Sequence, residues 1–327
     1  MGGVKMRKQE TSIVNKIFVI SLCVLLSVYA LSILFTLWWG LLSSFKSVYD
    51  YDPHFNANVL GFPTLDESNP FNSIKQFWGL ENYKIIINDY HKVEEKCVTT
   101  FVVNGEWKGH KAVGGFPMAI MNTFVYTVVG AALHTIIPLV TAYAVAKYEN
   151  PVGRVMTAAA LFAMTMPIVG NQASMLTMLR NMGLYDTFAG YLLQKATYTG
   201  MYFFVFSAFF QSLPNSFSEA AEIDGASQYG TLIRIIIPLS AKMFSTVFLI
   251  QFIHFWNDYQ TAYLYMPSHP TLAYAVWFLT TNNQSAGGGD LPPRTAAAML
   301  LAVPILVTFI ILKDKLMGNV TMGGLKQ

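Results

Sequence analysis

PMAIMNTFVYTVVGAALHTIIPLVTAYAVA, residues 117–146, carries no Asp, Glu, Lys or Arg from end to end. A helix needs about 20 apolar residues to cross a hydrocarbon core about 30 Å thick, and an unbroken apolar run of this length exceeds any strand. Hydrocarbon offers a backbone no external hydrogen-bond partner, so a lone segment crosses it only as a helix that satisfies its own amides and carbonyls. Residues 117–146 therefore predict a transmembrane helix and place the chain among membrane proteins.

Five further runs match this pattern: 17–45, 155–179, 196–213, 243–266 and 295–312. Only 243–266 contains a charged residue, Asp258. The composition agrees. The chain is 54% hydrophobic and 12% charged, whereas a soluble domain is about 25% charged. A net charge of +3 with no Lys/Arg block gives no footprint for nucleic acid. Cys23 and Cys97 are too few for a disulfide framework or a thiolate metal site. Residues 17–45 follow Lys5, Arg7, Lys8 and Lys16, reach Trp38 and Trp39 at an interfacial belt, and show no small-residue cleavage site. They exceed the roughly 7–15 apolar residues of a signal-peptide core, so they read as a retained first span.

Orientation follows from the bias of short loops toward Lys and Arg on the cytoplasmic side. With six spans, the basic residues of the N-terminal arm, Lys147 and Arg154, Arg234 and Lys242, and the tail residues Lys313, Lys315 and Lys326 share one side. The opposite short connections hold only Arg180, Lys195 and Arg294. Both termini are therefore expected in the cytoplasm. The chain divides into an arm (1–16), a first span (17–45), an extracytoplasmic region (46–116), a five-helix core (117–312) with a cytoplasmic loop at 214–240, and a tail (313–327). In the external region, β-prone residues flank Asn104-Gly105 and predict a small hairpin. Asp52-Pro53, Phe62-Pro63 and Asn69-Pro70 mark turns, and a short helix starts near Leu80-Glu81-Asn82-Tyr83.

The loop at 214–240 carries the most specific pattern. Ser216-Phe217-Ser218-Glu219 fits a capping box, in which the Ser hydroxyl and the Glu carboxylate each satisfy a free amide at a helix start. On the helix that follows, Ser218, Ala221 and Gly225 share one face with almost no side-chain bulk. Gly225 permits a bend, a second amphipathic helix spans about 226–236, and Pro238 punctuates the approach to the fifth span. Local physics leaves two readings open: a face built for close docking of a partner, or a cap and small residues that let the helix pack on its own bundle.

Glu219-Ala220-Ala221, then Gly225, Ile235, Ile237 and Pro238, resembles the EAA signature of permease subunits in ATP-binding-cassette (ABC) importers, with Ile237 where the pattern usually has Leu. Asp224-Gly225-Ala226-Ser227, Trp256-Asn257-Asp258-Tyr259, Met121-Asn122-Thr123 and the tail Met322-Gly323-Gly324-Leu325-Lys326-Gln327 are similar to elements of the carbohydrate branch, the second permease subunit of the maltose type. The resemblance runs from about residue 82 to the C-terminus. It departs at 88–115, which reads as an insertion, and at Arg294, where many relatives carry an aromatic residue.

The resemblance implies an all-α polytopic protein of the bacterial cell membrane with six transmembrane helices and a cytoplasmic coupling helix, engaged in binding-protein-dependent sugar import. It implies four partners besides the bilayer: a homologous second permease, two cytoplasmic ATP-binding subunits and an extracytoplasmic solute-binding protein. In that scheme Glu219, Ala220, Ala221, Asp224 and Gly225 couple to the ATPase, and no chemistry occurs on this chain. The phosphate-cradling Gly-rich loop with Gly-Lys-Ser/Thr is absent from the sequence, and no cofactor is expected.

A charge at mid-bilayer costs about 2.5–3.5 kcal/mol on insertion scales, so Asp258 must face the bundle interior or an interface. Its position places it past the middle of the fifth span, toward the outside. Gln251, Trp256, Asn257 and Asp258 combine an aromatic face with hydrogen-bonding groups and are candidates for a sugar path; the alternative is that Asn257 and Asp258 bond neighbouring helices. His134 and His254 lack a second ligand at metal spacing, and no metal site is expected. Pro138, Pro167 and Pro304 predict kinks, and Met164, Met166, Met175 and Met178 read as adaptable packing. The competing class is an ion-coupled secondary carrier, which would show inverted repeats and ion-relaying carboxylates. Asp258 alone comes near that description.

Overall fold

The computed structural model describes residues 13–51, 59–62, 80–103, 106–147, 151–166, 170–214, 216–223, 225–281 and 290–317. The chain forms two compact units, one of Met1–Lys84 with Asp290–Met299, the other of Ile85–Gly289 with Leu300–Gln327.

In the first unit, helix α1 (Ile13–Ser44) is apolar on every side beyond Lys16. All side chains over residues 17–34 are exposed, as suits a helix whose solvent is hydrocarbon. The end of α1 is closed by Asn82, which is buried and whose Nδ2 donates to the carbonyls of Ser44 and Lys46, each at 2.8 Å. Those are among the carbonyls that a helix end leaves without partners. The Tyr83 hydroxyl joins them at 2.8 Å from Ser44 Oγ.

Helix α2 (Glu81–Lys96) begins in the first unit and continues in the second, where strands β1 (Val98–Val103) and β2 (Glu106–Lys111) pair antiparallel with Val98 opposite Lys111 and Val103 opposite Glu106. Asn104 and Gly105, the expected turn, lie outside the described residues, as do Pro53, Pro63 and Pro70. Cys97, just before β1, is buried, and burial pushes its thiol up to about 12. That keeps it protonated at any working pH. Glu94 Oε1 then accepts the Gly115 amide at 2.7 Å, capping the next helix.

That helix, α3 (Gly115–Lys147), contains the 117–146 run and forms the centre of the unit. Its buried residues include Ala119, Thr123, Tyr126, Gly130, Thr135, Leu139 and Ala142, a stripe at three- and four-residue intervals. Against it lie α7 (Met201–Ser212) and α10 (Ile237–Trp256). One apolar cluster joins Leu139 and Tyr143 to Phe203, Phe206, Phe210, Ile236 and Val247. Thr123 also fixes the start of α12 (Leu272–Thr281), its Oγ1 accepting the Leu272 amide at 2.7 Å.

Four helices among the described residues are long and apolar enough to cross a membrane: Asn15–Ser44, Gly115–Lys147, Gln228–Trp256 and Leu291–Ile311, the last within α13 (Leu291–Met317). The sequence expectation of six spans differs at three places. Residues 155–179 are divided into α4 (Pro151–Thr165) and α5 (Asn171–Asn181). Pro167 disfavours helix at the residue before it, and Gly170 begins α5 in a left-handed conformation, φ 80°. Residues 196–213 hold only the 12 residues of α7. The run 243–266 is broken after Trp256, and a new helix, α11, spans Tyr259–Tyr265.

A fourth difference has the opposite sense. Instead of a separate loop helix halted by Pro238, α9 (Gln228–Thr231) continues through a wider turn at Leu232–Ile236 into α10. The Ile237 amide reaches back five residues to Leu232. The wide turn lets the helix pass Pro238, which has no amide hydrogen, without breaking.

At the crossing of α3, α10 and α6 (Phe188–Lys195) sits Gly130. A Cβ there would lie 3.2 Å from the Phe255 ring and would strike the Tyr191 hydroxyl, which donates to Tyr126 O at 2.6 Å. Gly130→Ala is therefore expected to destabilise the protein by about 1–3 kcal/mol through overpacking, read as a lower melting temperature in detergent. An unchanged melting temperature would show that this crossing is loosely packed.

Candidate functional site

Two places concentrate the polar and small residues singled out by the sequence: the gap between α10 and α11, and the loop around α8 (Ser216–Ile223).

At the first, α10 ends at Asn257 and Asp258 caps α11. The cap is a direct consequence of chemistry, since a short carboxylate reaches the free amides of a helix start. Asp258 Oδ1 accepts the Thr261 amide at 3.0 Å. Its Oδ2 accepts the Thr261 hydroxyl at 2.6 Å and the Tyr126 hydroxyl at 2.5 Å. Lys195, the last residue of α6, brings Nζ to 3.7 Å from Oδ2 and donates to Thr261 Oγ1 at 3.3 Å. Its ammonium also lies 4.9 Å from the centre of the Phe255 ring. Both charged side chains are largely buried, 12% and 13% exposed. Tyr191 stacks on Tyr126 with ring centres 4.4 Å apart and holds the Tyr126 phenol in place.

Beside this network lies an open cavity of about 570 Å³ whose walls include Lys195, His254, Asn257, Asp258, Tyr259 and Gln260. Of the four residues expected on a sugar path, Asn257 and Asp258 line it. Gln251 and Trp256 are buried within the helix packing. The Trp256 indole donates to Leu301 O at 3.1 Å and stacks on Phe252, tying α13 to α10. Asn257 is exposed and its amide bonds Ile253 O at 2.9 Å. Asp258 is therefore a helix cap at a break that also meets Tyr126 and Lys195 of neighbouring helices, where the sequence placed it within the fifth span, past the middle toward the outside. Lys195 has no sequence signal as a member of the site, because its partner is distant in the chain. Thr261 had one: it stands three residues after an Asp, the spacing of a cap.

At the second place, α8 ends in a left-handed Gly225, φ 74°, and the Ala226 amide bonds Ala221 O at 2.9 Å. This is the six-to-one closure that follows a C-terminal glycine. Glu219, Ala220 and Gly225 are exposed, whereas Ala221 is buried against its own chain. The small-residue face is thus split: Ala221 packs inward, and Gly225 remains open, with nothing within 4 Å of a Cβ built there. Asp224 lies outside the described residues. Around the turn, Phe217, Ile223, Tyr229 and Ile233 expose large apolar surfaces. Lys147, at the end of α3, donates to Leu213 O at 3.0 Å, just past the end of α7, where a cation suits the negative end of the helix. The segment leading into α8 is thereby fastened to the central helix.

Long apolar helices, four of them long enough to cross a bilayer among the described residues, make this a multi-pass membrane protein. Residues 134–317 match the family of binding-protein-dependent transport system inner membrane components, and the chain belongs to that family. The matched segment contains both the break at Asp258 and the loop around Gly225. The chain is similar to the trehalose transport system permease protein SugB of Mycobacterium tuberculosis, 26% identical over 232 residues, which are 71% of this chain and 85% of that one. It is 24% identical over 306 residues to the diacetylchitobiose uptake system permease protein NgcG of Streptomyces coelicolor, covering 91% and 86%. Its fold is that of a chain in the crystal structure of a bacterial ABC transporter involved in the import of the acidic polysaccharide alginate, with TM-score 0.67 and 22% identity over 93% of this chain and 98% of that one.

The Asp258 network yields a double-mutant test. Asp258→Ala alone leaves Lys195 buried beside no carboxylate and is expected to cost about 3–5 kcal/mol of stability. Adding Lys195→Met should restore part of the loss, with a coupling of about 0.5–3 kcal/mol between the two positions. Chemical unfolding of the purified variants measures this, and strict additivity would show that the pair does not interact.

Proposed function

We propose that this chain is the translocation subunit of an ABC importer that carries a carbohydrate, an oligosaccharide in particular, into the cytoplasm. The observation that carries the proposal is the exposed loop of α8 and Gly225 inside the family-matched segment. It is an apolar, small-residue turn exposed among the described residues, and the segment that leads into it is fastened at Leu213 to the central helix through Lys147. The sugar assignment is supported by the printed functions of several relatives, for trehalose, for melibiose, raffinose and stachyose, for diacetylchitobiose and for polygalacturonan, beside others for sn-glycerol-3-phosphate.

In this reading the loop docks on a separate ATPase subunit and ATP is hydrolysed there. Glu219, Ala220 and Gly225 form the contact with the ATPase, Ala221 seats α8 on its own chain, and Asp224 adds a charge at the same turn. A second, homologous permease completes the path, and an extracytoplasmic binding protein delivers the solute. Six spans place both termini and the loop at 214–240 in the cytoplasm, with residues 46–116 outside. To reach six, the short apolar helices at Pro151–Thr165 and Met201–Ser212 must cross together with their flanking segments. Asn257 and Asp258 line the path, and Gln251 and Trp256 support it from within the helix packing.

Gly225→Leu tests the coupling. Leu adds bulk where a partner would lie and strains a left-handed turn, so uptake by the assembled importer should be lost while membrane insertion persists. Gly225→Asn separates the two effects, since Asn tolerates the left-handed region far better than Leu. If Gly225→Asn also loses uptake, the contact surface is responsible. Normal uptake by Gly225→Leu would remove the coupling role. The purified chain alone should hydrolyse no ATP, and its isolation from cells should recover an ATPase and a second permease. Recovery as a homodimer without an ATPase would favour an ion-coupled carrier.

A further inference from the structure

We infer that the cleft beside Lys195 and Asp258 is a binding subsite on this chain for an uncharged saccharide ring, with Tyr259 as its aromatic wall. This rests on the reading of the chain as a sugar-importer subunit and adds the ligand's chemistry and the residues that meet it.

The cavity of about 570 Å³ falls within the roughly 300–1,000 Å³ range of small-molecule sites. Its hydrogen-bonding capacity is unbalanced in a way that suits a polyol. An ammonium has three donors. Thr261 Oγ1 at 3.3 Å takes one, while the Asp258 carboxylate at 3.7 Å is beyond hydrogen-bond distance. That carboxylate is already occupied by the Thr261 amide, the Thr261 hydroxyl and the Tyr126 hydroxyl. Asp258 thus offsets the charge of Lys195 without a direct hydrogen bond, and Lys195 forms part of the cleft wall. The exposed amides of Asn257 and Gln260 add both donors and acceptors at the rim.

The charge balance selects the ligand. A neutral hydroxyl gains a charge-assisted hydrogen bond from Lys195 at no cost from Asp258. A ligand carboxylate would approach an ammonium already paired, with a second carboxylate beside it, and like charges in one site repel.

The aromatic wall is pre-set. Tyr259 is 37% exposed and lies nearly parallel to Trp277, with ring centres 5.1 Å apart and an interplanar angle of 12°. Trp277 in turn meets Tyr263 at 5.3 Å, and Tyr263 stacks on Tyr274. A ring that lines the cleft and is stacked on a neighbour has little rotamer entropy left to lose. The C–H-bearing face of a pyranose packs on such a ring, which carries negative charge density on its face.

The test uses the whole importer in proteoliposomes with its ATPase, partner permease and binding protein. Uptake is followed from a mixture of trehalose, raffinose, stachyose, diacetylchitobiose and trigalacturonate, with mass spectrometry of the lumen. The expected result is accumulation of a neutral member, and a KM for it raised about tenfold by Tyr259→Ala and by Gln260→Ala, with a much smaller change in maximal rate. Tyr259→Phe, which keeps the ring, should stay near the unsubstituted KM.

Several results overturn the inference. If the neutral sugar accumulates with the same KM in both alanine variants, the subsite falls and the sugar-importer reading stands. The same holds if Tyr259→Ala loses the partner permease on purification, because the wall is then a subunit contact. If trigalacturonate alone accumulates, the importer reading stands and the uncharged-ligand assignment falls. If ATP is hydrolysed on addition of the binding protein and no saccharide accumulates, the sugar reading and the subsite fall together.

Discussion

A break in a helix frees carbonyls and amides that need new partners, and at five places among the described residues a side chain supplies one. Asn82 takes the carbonyl of Ser44 at the end of α1, and Glu94 takes the first amide of α3. Thr187 caps α6 by accepting the Gly190 amide, Lys147 covers a carbonyl beyond α7, and Asp258 caps α11. An unsatisfied buried group costs about 1–3 kcal/mol, so these partners decide where the chain is able to leave helix.

The arrangement also joins the two candidate places. From Gln228 to Trp256 the backbone is one helix of 29 residues, which at 1.5 Å per residue is about 43 Å long. Its start lies two residues after Ala226, which closes the Gly225 turn, and its end is the residue before Asn257 at the cleft. A rigid rod between loop and cleft is the simplest transmitter of movement, because a packed helix shifts as a unit. The wide turn at Leu232–Ile236 is the place in that rod where the hydrogen-bond ladder is altered. α3 packs against it, bonds Asp258 at the cleft through Tyr126, and bonds the Leu213 carbonyl ahead of α8 through Lys147.

The long uniform helices were legible in the sequence because their signal is simple. Residues 17–45 and 117–146 hold no charge, and α1 and α3 lie over them. The breaks were less legible, because hydropathy counts apolar residues and is blind to where a helix is capped. Tyr263, Leu264 and Met266 keep the run 243–266 apolar beyond Asp258, so the charge read as lying within a span. The local signal for its real role was present in the three-residue spacing to Thr261. Lys195 had no such signal, since the pairing depends on how α6 lies against α10 and α11. At the loop, the glycine turn followed from Gly225 itself, whereas the inward packing of Ala221 depends on tertiary contact that residue spacing does not specify.

The ion pair of Lys195 and Asp258 is a poor way to hold helices together. Removing two charges from water costs several kcal/mol per ion, and well-packed apolar residues of similar volume often serve stability as well or better. Holding the break needs only the cap, which Asp258 supplies to Thr261 without help from Lys195. The phenol of Tyr126 likewise satisfies the carboxylate without a cation. What the lysine adds is an ammonium at the wall of a cleft, with its charge offset by a carboxylate whose other partners are themselves pinned: Tyr126 by Tyr191, and Thr261 by the cap. Such pre-organisation is a property of binding sites more than of cores, and it accounts for a buried charge pair where packing alone would have chosen carbon.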